Sequence, residues 1–157
     1  MSQEAWKEEV VSYIDKTRFA VLAYVRNDGT PLQRSIGSFA PSGLDLYFST
    51  RKEAAKVQAM SEQKRISFLF EHDNQDLNQW KSVLLIGDAE KIDRGAELDL
   101  AVKTLSQRNP RFKERIDKGE LPITQIFKLK AEEVEYLDYG KGFGQVQKTV
   151  LRKAETA

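Results

Sequence analysis

Hydrophobic residues follow two different periods along the N-terminal part of the chain. Trp6, Val10 and Ile14 recur every fourth residue, which predicts an amphipathic helix that ends near Lys16. The segment FAVLAYV at 19–25 is almost continuously apolar, as is typical of a buried strand. An Asp-Gly turn separates it from LQRSIGSF, so these two segments are expected to form a β-hairpin.

Further turns and strands continue this antiparallel pattern. The turn PSG at 41–43 leads into LDLYFST, and later apolar segments predict strands at RISFLFE, WKSVLLIGDAEKI and QIFKLKAEEVEYL. Gly87 is expected to mark a β-bulge in the fifth strand, and the helical pattern that follows this strand stops at Asn109-Pro110. Two tight turns in succession favour a meander over a doubly wound parallel sheet. We predict a mainly β fold with peripheral helices, built on a six-stranded antiparallel barrel-like sheet.

The chain length indicates a single domain. With 157 residues, the protein can bury a sizeable core without disulfides or a structural metal. From Tyr139 onward, the apolar content is too low for independent folding. We therefore place one domain at 1–139, with an N-terminal helix, and a C-terminal tail at 140–157.

Composition narrows the choice of partners and compartments. The 25 Lys and Arg residues balance 24 Asp and Glu residues, so the formal charge is +1 and no global field attracts nucleic acid or anionic lipid. The chain has no cysteine, which excludes disulfides and thiolate chemistry. Its start lacks a secretory apolar region, and its longest apolar run is too short to span a bilayer. We expect a soluble cytoplasmic protein.

Several common catalytic sites are disfavoured by the residues present. His72 is the single histidine and lies in a polar loop, so we expect it to be solvated and predict no metal site. No G-x-S-x-G motif presents a nucleophilic serine. GKGFG at 140–144 does not join a strand to a helix, so a tail segment is favoured over a phosphate loop. Cations between 103 and 118 alternate with acids, as is typical of solvated helix faces.

The segment LYFSTRKEAAKVQAM at 46–60 has two interpretations. Thr50 and Glu53 fit a capping box at the start of a helix, in which each side chain satisfies a free amide. Alternatively, hydroxyl groups and cations near a helix start can bind an anion. The residues available for that role are Ser49, Thr50, Arg51, Lys52 and Lys56.

The order of four segments resembles the FMN-binding split barrels related to pyridoxamine 5′-phosphate oxidase. The resemblance covers about Phe19 to Asp138 and depends on a strand pair ending in QRSI, then LYFSTRKEAAK, RISFLF and WKSVLLIGDAE. It implies a six-stranded antiparallel split β-barrel, FMN as cofactor and a homodimer with two flavins at the subunit interface. It therefore favours an anion site at Thr50, with the capping role retained.

The resemblance also implies a set of cofactor-binding residues. Arg34 corresponds to the arginine that reaches the flavin phosphate arm, and Lys56 corresponds to the phosphate-binding lysine. Ser82 falls where the family places a glutamine at the flavin pyrimidine edge, a match of position and not of residue type. The complete set is Arg34, Ser35, Ile36, Ser49, Thr50, Arg51, Lys56, Lys81 and Ser82.

Departures from the family pattern argue against true pyridoxamine phosphate oxidase activity. Ala54 and Ala55 replace a serine and an arginine on the phosphate helix, and Phe39 replaces a lysine that grips the substrate phosphate. The tail also lacks the Arg-Leu-x-Pro ending of those oxidases.

The expected function is that of an FMN-binding oxidoreductase acting on an unidentified small molecule, with a nicotinamide as a candidate reductant. No catalytic residue is assigned, because in flavin enzymes the cofactor carries the redox chemistry. Three alternatives stay open: a non-catalytic flavin-binding stress or sensor protein, a split barrel that uses deazaflavin or haem, and a dimeric scaffold.

Overall fold

The computed structural model describes residues 3–142 and 146–150. The helices in these segments are α1 (Gln3–Asp15), α2 (Ala55–Glu62), α3 (Gly95–Arg108) and α4 (Pro110–Asp117). The strands are β1 (Ala20–Val25), β2 (Pro31–Ile36), β3 (Phe39–Ser42), β4 (Asp45–Arg51), β5 (Arg65–Glu71), β6 (Lys81–Ile92), β7 (Thr124–Asp138) and β8 (Val146–Val150). None of the described helices is long and apolar enough to cross a membrane.

The strands form one antiparallel sheet in the order β2-β1-β5-β6-β7-β4-β3, and β8 pairs with β7. This confirms the predicted antiparallel barrel-like fold, although the strand number differs. The predicted second strand is divided into β2 and β3, which lie at opposite edges of the sheet. The additional strand β8 lies within the segment that was expected to be a tail.

The connection between β2 and β3 closes the barrel. Only Gly37 and Ser38 separate these two edge strands, and a connection of this length spans at most about 10 Å. The sheet must therefore curl until its two edges meet. The backbone N–H of Ser49 on β4 donates to the carbonyl of Ser38 at 3.0 Å and holds the junction in place.

Gly87 lies at a β-bulge, as the sequence predicted. The β6–β7 register shifts between Ile86 and Gly87, which leaves Glu132 as the extra residue on β7. A Cβ atom at Gly87 would lie 2.0 Å from the carbonyl oxygen of Lys130. Only glycine allows the two backbones to approach this closely.

Two hydrophobic clusters cover different faces of the sheet. The first fills the barrel interior and includes α1 and α2, with Trp6, Phe48, Met60 and Phe68 fully buried. The second lies between the outer face of the β4–β7 region and helices α3 and α4. Its members are Ala40, Tyr47, Ile92, Ala101, Leu105, Phe112 and Ile126.

The outer face of β1, β5 and β6 carries a third group of apolar residues. Strand register places Val21 opposite Leu69, and Leu69 opposite Leu84. With Ala23 and Ile86 they form an apolar sheet face that belongs to neither cluster, and each of the five is half-buried. This half of the sheet therefore presents apolar side chains outward.

The predicted capping box at Thr50 is wrong. Backbone pairing of β4 with β7 continues through Thr50, opposite Gln125, and reaches Arg51. The chain at Thr50 is therefore extended, and α2 begins only at Ala55. Ala54 occupies the N-cap and provides no side-chain hydrogen bond.

We expect Gly87→Ala to lower the free energy of unfolding by about 1–3 kcal/mol, because the added methyl group would collide with the Lys130 carbonyl. Gly37→Ala is the matched control, since its methyl group would meet only the exposed ring of Phe19, which can move. Urea unfolding measures both variants. Equal stability of the two variants would contradict the close approach at the bulge.

Candidate functional site

Arg34 and Lys56 lie on separate elements but close enough for their charges to interact. The register with β1 places Arg34 opposite buried Leu22, while the Arg34 side chain itself is exposed. Helix α2 inserts Val57 and Met60 into the interior cluster and thereby holds Lys56 near this edge. Burial lowers the pKa of Lys56, and the positive charge of Arg34 lowers it further.

Neither cation is neutralised by a carboxylate in the described segments. Arg34 donates from Nη1 to its neighbouring carbonyl at Gln33, at 2.8 Å. The side-chain ammonium of Lys56 has no hydrogen bond or ion pair to another described residue. Two cations in such a position repel each other, and an anion bound between them would relieve that repulsion. The pair therefore fits a phosphate group.

Ser49, Thr50 and Arg51 line a second location. These three residues at the end of β4 border a cavity of about 220 Å³, together with Arg115, Glu120, Ile123 and Thr124. Ser49 is buried, and its Oγ lies 2.5 Å from the Oγ of Ser38. The exposed side chain of Arg51 lies 3.7 Å from the carboxylate of Glu53.

Lys81 and Ser82 lie on opposite faces of β6, as adjacent strand residues do. Lys81 faces α1, with its Nζ 3.8 Å from the carboxylate of Glu9. Ser82 is buried on the outer face, which it shares with Leu84 and Ile86. The structure therefore does not bring this predicted pair to one side of the sheet.

A large cavity lies where β2 passes into β3, and we call it the closure groove. Its volume is about 1100 Å³. Ile36 and Ser49, two of the predicted cofactor-binding residues, are part of its lining. The other lining residues are Asp15, Thr17, Arg18, Phe19, Gly37, Ser38, Ala40, Pro41, Thr104, Gln107, Arg108, Asn109, Pro110, Arg111, Phe112 and Arg115.

The cations near the groove were predicted to be solvated helix faces, and for Arg108 that prediction is wrong. Arg108 at the end of α3 donates to the carbonyls of Phe39 at 3.0 Å, Asp15 at 2.9 Å and Thr17 at 2.6 Å. Its Nε donates to the Asp15 carboxylate at 3.2 Å. Burial lowers the pKa of Arg108, whereas Asp15 acts in the opposite direction.

Arg108 thus connects three separate parts of the fold. It joins the end of α1, the start of β3 and the end of α3, and its guanidinium lies 4.1 Å above the Phe39 ring. Phe39 is fully buried beneath it and does not line the closure groove, and its ring offers no hydrogen-bonding group to a ligand. In the sequence, Asn109-Pro110 indicates that the helix ends beside Arg108. It does not indicate which backbone carbonyls accept hydrogen bonds from this arginine.

His72 is also more constrained than predicted. Its ring stacks on Tyr13 at a centroid distance of 3.7 Å, and its Nε2 lies 2.9 Å from the Tyr13 carbonyl oxygen. The backbone N–H of His72 donates to the Tyr13 hydroxyl at 2.9 Å. Among the described residues, no three His, Cys, Asp or Glu side chains group to hold a metal. His72 therefore fastens α1 to the sheet.

We expect Arg108→Gln to lower the free energy of unfolding by about 2–3 kcal/mol, because charge-assisted hydrogen bonds to three carbonyls are lost. Arg94→Gln removes the same charge from an exposed loop position and should change stability by less than about 0.5 kcal/mol. Chemical denaturation measures both. Similar losses in the two variants would show that Arg108 has no special structural role.

The sequence comparison gives one family match. The model of the pyridoxamine 5′-phosphate oxidase family matches residues 6–138. The search of curated proteins found no match.

Solved structures with similar folds come from several bacteria. A heme binding protein from Mycobacterium smegmatis has a TM-score of 0.76 and 18% identity; the match covers 96% of this chain and 59% of that protein. A protein from Clostridium acetobutylicum related to general stress protein 26 has a TM-score of 0.72 and 14% identity, with 96% and 97% covered. General stress protein 26 from Bacillus anthracis has a TM-score of 0.65 and 20% identity, with 84% and 93% covered. At these identities the likeness shows a shared fold.

Proposed function

Since the chain belongs to the pyridoxamine 5′-phosphate oxidase family, we propose that it binds FMN and that Arg34 and Lys56 hold the phosphate group. The observation that carries the proposal is the convergence of these two cations, which lack a carboxylate partner in the described segments. A phosphate dianion accepts several charge-assisted hydrogen bonds, and partial burial strengthens each of them.

The other predicted residues receive supporting roles in this proposal. Ser35 and Ile36 continue from Arg34 along β2 and provide a surface for the flavin ring. Ser49, Thr50 and Arg51 offer hydroxyl, backbone and guanidinium groups at the end of β4. Ser82 on the outer face of β6 can form a hydrogen bond with the polar pyrimidine edge of the flavin ring, whereas Lys81 is directed toward α1.

We further propose that the protein is an oxidoreductase acting on a small molecule, with a nicotinamide as a candidate electron donor. When bound, FMN supplies the capacity to accept and donate hydride. The residues of this chain bind and orient the reactants, and no proton-transfer role is assigned to them. A flavin-binding stress or sensor protein would share the cofactor but would not turn over, and the related stress proteins support that alternative.

Haem is a second candidate cofactor because one structural neighbour is a heme binding protein. In this chain, the single histidine uses Nε2 for its contact with Tyr13, so axial ligation would require that contact to break. A deazaflavin remains an alternative that shares the phosphate requirement.

The purified protein should bind FMN, and Lys56→Ala should weaken that binding by about 1.5–3 kcal/mol because one hydrogen bond to a charged group is lost. Lys52→Ala is the matched control, since Lys52 is exposed on the turn before α2. Quenching of flavin fluorescence during titration gives both dissociation constants. Riboflavin, which has no phosphate, should bind more weakly than FMN and respond little to Lys56→Ala.

Three outcomes would contradict the assignment. A folded protein that quenches no flavin fluorescence would reject FMN binding. Equal losses in Lys52→Ala and Lys56→Ala would mean that general positive charge attracts the phosphate. A spectral shift on titration with haem but not with FMN would favour the haem alternative.

We also propose that the protein is a homodimer, assembled through the apolar sheet face of Val21, Ala23, Leu69, Leu84 and Ile86. The register places Val21, Leu69 and Leu84 in one row across three neighbouring strands, and Ala23 and Ile86 in the adjacent row on either side of Ser67. Apolar surfaces of this kind are typical of subunit interfaces. Ser82 adjoins the face, so a dimer would bring this residue close to the second subunit.

Sedimentation should report twice the chain mass of 18.0 kDa, and Leu84→Glu should shift the protein to monomer at micromolar concentration because a charge is placed in the interface. Leu100→Glu is the control, because Leu100 is 49% exposed on α3 and away from this face. A wild-type protein that sediments as a monomer would reject the dimer. So would dissociation caused equally by the two substitutions.

A further inference from the structure

We propose that the closure groove binds a small organic anion carrying two or more carboxylate or phosphate groups. Neither Arg34 nor Lys56 lines the groove, although Ile36 and Ser49 from the proposed flavin-binding set do. The proposal therefore goes beyond flavin binding and does not depend on it.

The charge balance of the lining is the first reason. Four arginines border the groove, and Asp15 is the only carboxylate among the lining residues. Asp15 and Arg108 form an ion pair, and the guanidinium of Arg108 is occupied by backbone carbonyls. Arg18, Arg111 and Arg115 are left without an ion pair to any described residue.

The spacing on α4 is the second reason. Arg111 and Arg115 are four residues apart, so they lie on one side of the helix and repel each other. Buried Phe112 fixes the rotation of α4, which keeps both arginines at the groove. Because Arg111 is exposed and Arg115 half-buried, solvent screens this repulsion to a small value, and a bound anion would turn it into attraction.

The acidic residues of α4 do not compensate for this charge. Asp117 pairs with Lys113 at 2.7 Å, and Glu114 pairs with Lys118 at 3.0 Å. Within the helix, the acidic side chains thus form ion pairs with the two lysines and not with the two arginines. Glu120 borders the adjacent smaller cavity with Arg115, but no ion pair joins the two side chains.

The remaining lining residues define the kind of ligand. The paired hydroxyl groups of Ser38 and Ser49 offer neutral hydrogen bonds, and Phe19, 55% exposed, offers an apolar surface. A volume of about 1100 Å³ is slightly above the usual range for small-molecule sites, so the groove has room for a small organic anion. Three guanidinium groups from two separate segments can engage more than one acidic group of the same molecule.

The test is an NMR titration of the full ¹⁵N-labelled chain with citrate, inorganic pyrophosphate and glycerol. We expect saturable shifts of the Nε–H signals of Arg18, Arg111 and Arg115, and of the amides of Ser38 and Ser49.

Arg111→Gln and Arg115→Gln should each weaken binding of the anion about tenfold. Arg94→Gln, which removes the same charge elsewhere, should leave the dissociation constant unchanged. Tighter binding of citrate than of pyrophosphate would assign carboxylates as the preferred groups, and the reverse would assign phosphates.

Several outcomes would overturn the proposal. Absence of saturable binding by either anion would reject it, as would equal shifts with glycerol. Equal weakening by Arg94→Gln would show that only net charge matters. Lys56→Ala removes a cation that does not line the groove, so it must leave the citrate and pyrophosphate constants measured without FMN unchanged. Because FMN binding is measured separately, failure of the flavin proposal is distinguishable from failure of this one. If either α4 variant is unfolded by circular dichroism, Arg18→Gln, in a different segment, provides the same test.

Discussion

Closure of the sheet by two residues is the constraint on which the rest of this structure depends. Because Gly37 and Ser38 join strands from opposite edges, the sheet has no freedom to open. Curling encloses the aromatic interior and leaves the outer faces to be covered by other elements. Helices α3 and α4 cover one part, while the outer face of β1, β5 and β6 remains apolar and outside both clusters. Both candidate binding regions lie close to the closure: Arg34 lies three residues before Gly37, and the groove lies directly over the junction.

Local patterns were sufficient for most of the fold. Alternation, turn residues and the Asn109-Pro110 stop predicted the helix ends and hairpins, and Gly87 predicted the bulge because its reason is steric and local. The failures required information from distant residues. Thr50 looked like a helix cap, but β7 provides hydrogen-bonding partners that keep this segment extended through Arg51. The break between β2 and β3 was missed because the segment LQRSIGSF does not show that its two ends pair with different neighbours.

The candidate site likewise has features that the sequence predicts and features that depend on distant residues. Resemblance to a family identified Arg34 and Lys56 individually, but their proximity depends on how α2 docks on the barrel, which no local pattern encodes. The opposite directions of Lys81 and Ser82 follow from the sequence alone, because neighbours on a strand point to opposite faces. Their roles at a cofactor stay predictions. Arg108 was not identifiable in advance, since its acceptors are backbone carbonyls supplied by α1, the segment after it and β3.

A near-neutral chain can therefore contain strongly positive local sites. The formal charge of +1 excludes a global field, but it does not describe where the charges are neutralised. On α4 the lysines take the available acids through pairs four residues apart, which leaves the arginines of the same helix unpaired. Arg108 shows the opposite case, because it is surrounded by acceptors and serves the fold. The difference between a structural and a ligand-binding arginine in this groove is thus whether the protein itself supplies the acceptors, and for Arg111 and Arg115 the described residues do not.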